Sequence, residues 1–137
     1  MYLDNGETLH PSRDYKVGRG EPRYVCSIPV TLQRFLRFGP FATRGVSLDV
    51  SLRGMSALVC GAPRVGETVV IALPLPLAPV EMLATVCHSS DAKTGFAFYP
   101  LSPIAQLGIQ DWIHELKKHE ETLFPNPYMH ATKVVSD

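Results

Sequence analysis

The chain has 137 residues, 45% of them hydrophobic, which suits one modest domain able to bury a core without metals or disulfides. Its 13 basic residues balance 13 acidic ones, so overall charge gives no support to a general nucleic-acid or acidic-membrane binder, and any anion site has to be local. No stretch is long and apolar enough to span a membrane, and Met1-Tyr2-Leu3-Asp4 has neither the basic nor the apolar part of a signal peptide, which implies a cytoplasmic protein with no membrane insertion.

Residues 1–22 are polar, carry Gly6, Pro11, Gly18, Gly20 and Pro22, and show no periodicity. They read as a flexible leader into the first strand. From Tyr24 the chain turns strand-like through Val25, Ile28, Val30, Leu32, Phe35 and Leu36. Pro29 interrupts this run and belongs at an edge or a bulge, because it cannot donate to a ladder. A turn at Gly39-Pro40 leads to a strand over Thr43 to Ser51, where Val46, Leu48 and Val50 alternate with Ser47, Asp49 and Ser51, the period of a half-buried strand. Gly54 lets the chain fold back into Met55 to Cys60. Further strands are expected over Thr68 to Leu75, Met82 to His88 and Thr94 to Tyr99, with Pro74 to Pro79 as a breaker. Five or six short strands with tight turns and no helix between them indicate an all-β antiparallel unit, best closed as a small barrel.

The period then changes. Ser102-Pro103 supplies a cap and a proline at the first helical position, and Ile109, Trp112, Ile113 and Leu116 form an apolar stripe. Trp112 reads as a core anchor, and Gly108 marks a place where the helix could break. Phe124-Pro125-Asn126-Pro127 ends the helix. The expected organisation is a leader over residues 1–18, a barrel with its closing helix over 19–120 and a loose tail over 121–137. Cys26, Cys60 and Cys87 form no close pair, so they read as buried thiols rather than a disulfide framework or a zinc knot; the other reading of Cys26 is a redox-sensitive thiol beside the ligand.

Two polar motifs carry the chemistry. Arg19-Gly20-Glu21-Pro22-Arg23 presents two guanidinium groups, which grip phosphate oxygens bidentately and stack on purines. Arg13 and Lys16 can add to the local positive field. Asp49-Val50-Ser51-Leu52-Arg53-Gly54 presents a carboxylate and a hydroxyl two residues apart, on one face of a strand, followed by a glycine turn. A carboxylate can accept hydrogen bonds from a guanine edge, and a hydroxyl can bind phosphate or base. The simpler reading of the second motif is a hairpin whose Asp and Ser bond their own backbone. Arg53 and His88 are further candidates, each equally explained as a solvated side chain.

In this order, and with these strands around them, the motifs resemble those of the PilZ domain family, R-x-x-x-R at Arg19 and Arg23, then D/N-x-S-x-x-G at Asp49, Ser51 and Gly54. Gly66, Ala84 with Val86, Gly95-Phe96-Ala97-Phe98 and a closing helix add to the likeness, over roughly residues 15–120. The resemblance implies a six-stranded antiparallel β-barrel with a C-terminal α-helix packed on it. It implies a cyclic di-GMP receptor: the arginines clamp phosphates and guanines, Asp49 and Ser51 line the opposing wall, and binding orders the leader on the barrel to regulate a protein effector. Gly18 stands where many relatives carry a basic residue, and one nucleotide or an intercalated pair both stay open, as does a related ligand such as cyclic GMP-AMP. No cofactor and no DNA or RNA partner is expected, and the chain is expected to be a monomer or a weak homodimer.

Enzymatic activity is not expected. The histidines at 10, 88, 114, 119 and 130 show no metal spacing and no serine–histidine–acid set, and the Gly61 to Gly66 turn lacks the ending of a phosphate loop. Glu115 and Glu120, five residues apart, do not pair as catalytic carboxylates. The competing function is a nucleotide-independent interaction module on the same fold; Leu123, Phe124 and Tyr128 read either as a partner or self-association surface serving both functions or as residues packed against the barrel.

Overall fold

The computed structural model describes residues 21–123. Among the described residues, seven strands precede one helix: β1 (Tyr24–Val25), β2 (Pro29–Leu36), β3 (Gly39–Val50), β4 (Gly54–Val59), β5 (Thr68–Leu73), β6 (Val80–Ser89), β7 (Thr94–Phe98) and α1 (Pro103–Leu123). All pairings are antiparallel, in the order β1-β3-β2-β5-β6-β7-β4, and β3 also pairs with β4. That last pairing closes β2 to β7 into a six-stranded barrel, which removes the open edges of a free sheet. The short β1 adds to β3 outside the closed ring.

Pro29 opens β2 at an exposed position, where its missing N–H is harmless. The first hairpin turns at Arg37-Phe38 rather than at Gly39-Pro40; Gly39, at φ 114°, begins β3 and opposes Leu36. Phe35 and Leu36 are exposed although the sequence counts them with the apolar strand residues. A second departure lies in β3. Thr43 and Ser47 point inward and are buried, while Val46 is 43% exposed. The cause is a bulge: Ser47 opposes Ala57 and Asp49 opposes Ser56, leaving Leu48 without a partner on β4. One extra residue flips the faces, so Ser47 and Val50 both enter the core side. The inward Ser47 hydroxyl accepts the Ile28 N–H at 2.9 Å, and Cys26 N–H and Ser47 N–H complete the join to Leu48 and Ile28 carbonyls.

The barrel interior is filled by Val30, Leu32, Val50, Met55, Val69, Ile71, Ala84, Val86 and Phe96. The helix α1 covers one side with Ala105, Ile109 and Trp112, of which Trp112 is 4% exposed. Ser102 caps it, its Oγ accepting the Ala105 N–H at 3.2 Å. The helix does not break at Gly108. A side chain there would press on Val80 and Leu75, so this glycine serves the approach of helix to barrel rather than a change of direction. Of the three cysteines, Cys26 is buried, Cys87 half-buried and Cys60 exposed, which corrects the expectation for Cys60: it lies just past the end of β4, where the chain leaves the sheet. No helix of the described residues is long and apolar enough to cross a membrane.

Candidate functional site

Pairing of β1 with β3 decides where the first motif goes. Val25 opposes Asp49 and Tyr24 opposes Val50, so the residue just before β1, Arg23, arrives beside Asp49. Its Nη1 donates to Asp49 Oδ1 at 2.6 Å, with the two side chains 35% and 21% exposed. This is a charge-assisted contact between residues 26 apart in sequence. Arg19 lies outside the described residues, as do Arg13 and Lys16.

From Asp49 the register runs across the barrel wall. Asp49 opposes Ser56, Ser56 opposes Gly95, and Gly95 opposes His88. Ser56 alternates with the core residues Met55 and Ala57, which puts it on the outer side with Asp49. His88 is exposed, and a Cβ at Gly95 would touch His88 Cβ at 3.4 Å and Cys87 Sγ at 3.7 Å. The fold thus gathers Arg23, Asp49 and His88 on one outer row. It also adds two residues that the motifs do not name. Ser56 is 1% exposed, and among the described residues its Oγ has no hydrogen-bond partner. Gly95 keeps the middle of the row free of any side chain. The signal for Ser56 was present in the sequence: it stands two places after Gly54, a polar residue between the apolar Met55 and Ala57.

Ser51 does not share a strand face with Asp49, because β3 ends at Val50. Ser51 is instead buried in the turn that it closes. Its N–H donates to the Gly54 carbonyl at 2.8 Å, and its Oγ accepts the N–H groups of Arg53 and Gly54 at 3.2 Å each. The hydroxyl also lies 3.3 Å from the Gly54 carbonyl oxygen, to which it donates. Gly54 is required by proximity: a Cβ would collide with the Phe96 carbonyl oxygen on β7. Arg53 sits in the turn, half exposed, its Nε 3.8 Å from Glu21 Oε2, a surface pair of little energetic weight.

The thiols near this row are not activated. Burial pushes the Cys26 thiol up, the Ser47 hydroxyl acts against this, and the Asp49 charge adds to the rise. Burial likewise raises Cys87, opposed by a backbone hydrogen bond and by the Arg23 charge. A thiol raised in this way holds less thiolate at neutral pH than an ordinary one. Among the described residues no group of three or more His, Cys, Asp or Glu side chains could hold a metal.

A PilZ domain family model matches residues 18–115, and no curated protein matches. Among solved structures, the chain is similar to the PilZ domain, with c-di-GMP, of YcgR from Escherichia coli, at 19% identity and TM-score 0.61 over 76% of this chain and 95% of that one. It is also similar to the PilZ domain of CeSA from a cellulose-synthesizing bacterium, at 18% identity and TM-score 0.56 over 72% and 98%. The Bacillus subtilis inhibitor of motility, MotI/DgrA, aligns at 17% identity and TM-score 0.57 over 71% of this chain and 50% of its own. With the closed barrel, the covering helix and a family match over most of its length, the chain belongs to the PilZ domain family.

Proposed function

We propose that this chain is a cyclic di-GMP receptor, not an enzyme, which orders its N-terminal arginine segment on the barrel and thereby regulates a partner protein. The observation that carries the reading is Arg23 held on Asp49 at the head of a row that continues through the buried Ser56 hydroxyl, which has no hydrogen-bond partner among the described residues, to Gly95, a buried position with no side chain. In the free protein, Asp49 occupies the Arg23 guanidinium. A cyclic dinucleotide brings two phosphate anions that compete for it, and Asp49 then becomes available to accept N–H groups from a guanine edge. Ser56 offers a hydroxyl whose hydrogen bond is unmade among the described residues, and an unmade buried bond favours any ligand that completes it. Arg19 would supply the second guanidinium, Ser51 and Gly54 would hold the turn that borders the row, and Arg53 and His88 would flank it. The YcgR PilZ domain, solved with c-di-GMP, supports this choice of ligand.

Isothermal titration calorimetry of the full chain tests it, with cyclic di-GMP and cyclic GMP-AMP titrated in parallel. Binding of cyclic di-GMP in the micromolar range or tighter, and more tightly than cyclic GMP-AMP, is the expected result, and the fitted stoichiometry separates one nucleotide from an intercalated pair. Preference for cyclic GMP-AMP would change the ligand. Absence of binding to either would leave a nucleotide-independent module.

A further inference from the structure

The β2–β3 hairpin continues past the barrel. Strand β5 pairs with β2 only from Thr31 to Arg34, and β4 pairs with β3 only from Gly45 onward. Residues 35–42 therefore form a two-stranded ribbon whose strands pair only with each other. Such a ribbon is ordinarily polar, since two strands alone bury little in water. This one is apolar on both faces and at its tip. Phe35 lies on one face, Leu36 and Phe41 on the other, and Phe38 at the turn; they are 58%, 41%, 49% and 96% exposed. No Asp or Glu occurs in the sequence between Glu21 and Asp49; at the base of the hairpin Arg34, which lies over the Phe41 ring, pairs with Glu67, and Arg37 and Arg44 are exposed.

We propose that this ribbon docks the protein on an anionic membrane surface. The shape selects the occupant: a protein groove would have to enclose two faces and a tip, whereas the headgroup and acyl boundary of a bilayer adapts to all three. Aromatic side chains at a tip with flanking arginines match the apolar and anionic layers of that boundary. Neutral overall charge and the lack of a spanning helix led the sequence to the opposite expectation, but neither bears on a local ribbon that enters only the interface. The proposal stands apart from the nucleotide site, which lies at the other end of β3.

The test is flotation of the full chain with vesicles of phosphatidylcholine alone or mixed with phosphatidylglycerol, beside Phe38→Ser and Arg37→Glu. Both residues are exposed at the turn, so neither variant threatens the fold. Wild type is expected to float with the anionic vesicles and not with phosphatidylcholine alone. Arg37→Glu, a change of two charges near the surface, is expected to reduce binding about thirtyfold. In Phe38→Trp, brominated lipid should quench the new tryptophan and leave the buried Trp112 unaffected. No flotation of wild type, or flotation unchanged by Phe38→Ser, overturns the proposal. It is equally overturned if Phe38→Ser abolishes only self-association in sedimentation, which would assign the ribbon to a second copy of the chain.

Discussion

Arg23→Ala is expected to weaken cyclic di-GMP binding about 10- to 100-fold, because each hydrogen bond to a charged group contributes about 1.5–3 kcal/mol. The same variant should unfold close to wild type. The Arg23–Asp49 pair is partly exposed, at 35% and 21%, and ion pairs of that kind contribute little to stability. The two effects separate because the guanidinium has two roles of unequal weight. In the free protein it holds the Asp49 carboxylate; in the complex it would face a phosphate and a purine with its planar fork. Arg23→Lys keeps the charge but loses the fork, and should fall between wild type and Arg23→Ala. Calorimetry and thermal unfolding on the three proteins check this, and an affinity unchanged in Arg23→Ala would remove Arg23 from the site.

Gly54→Ala is expected to cost about 1–3 kcal/mol of folding stability, the usual range for forcing extra bulk into a packed position. The group in its way is the Phe96 carbonyl oxygen, part of the β7 backbone, so relief requires β4 and β7 to move apart. Those strands pair at Gly54–Ala97, Met55–Phe96 and Ser56–Gly95, the rungs that carry the outer row. Binding should therefore fall together with stability, as measured by chemical denaturation and calorimetry on the same sample. A Gly54→Ala protein as stable as wild type yet unable to bind would make Gly54 a ligand contact instead of a strand contact.

The motifs and the order of strands were legible because their signals are local. Gly54, the Gly61–Gly66 turn and the Pro74–Pro79 stretch mark breaks between the later strands, Ser102-Pro103 marks the start of α1, and the Ile109–Trp112 stripe marks the face that packs on the barrel. What the sequence could not show were events that depend on a neighbouring strand. The bulge at Leu48 inverts the faces of Val46 and Ser47, yet no residue type announces it. Gly54 and Gly108 read as points of backbone freedom, whereas each is occupied because another element passes too close for a side chain. Ser51 was read as a wall residue two places from Asp49; the chain leaves the strand one residue earlier and turns its hydroxyl into the turn. The meeting of Arg23 with Asp49 follows from two rungs of β1 pairing, a contact invisible to spacing. Ser56 is missed for the opposite reason: its neighbours Met55 and Ala57 place it on the outer face, but its burial and the lack of a hydrogen-bond partner among the described residues show only in the structure.

The central claim is that a cyclic dinucleotide binds on the row from Arg23 and Asp49 to Gly95. The most direct test is a titration of the isotope-labelled full chain with cyclic di-GMP, followed through the backbone amide resonances. The amides of Arg23, Asp49, Ser56 and Gly95 should shift together and saturate together, while those of Phe38 and Gly39 at the far end of the hairpin stay in place. Saturable shifts confined to other elements, with this row unmoved, would contradict the claim.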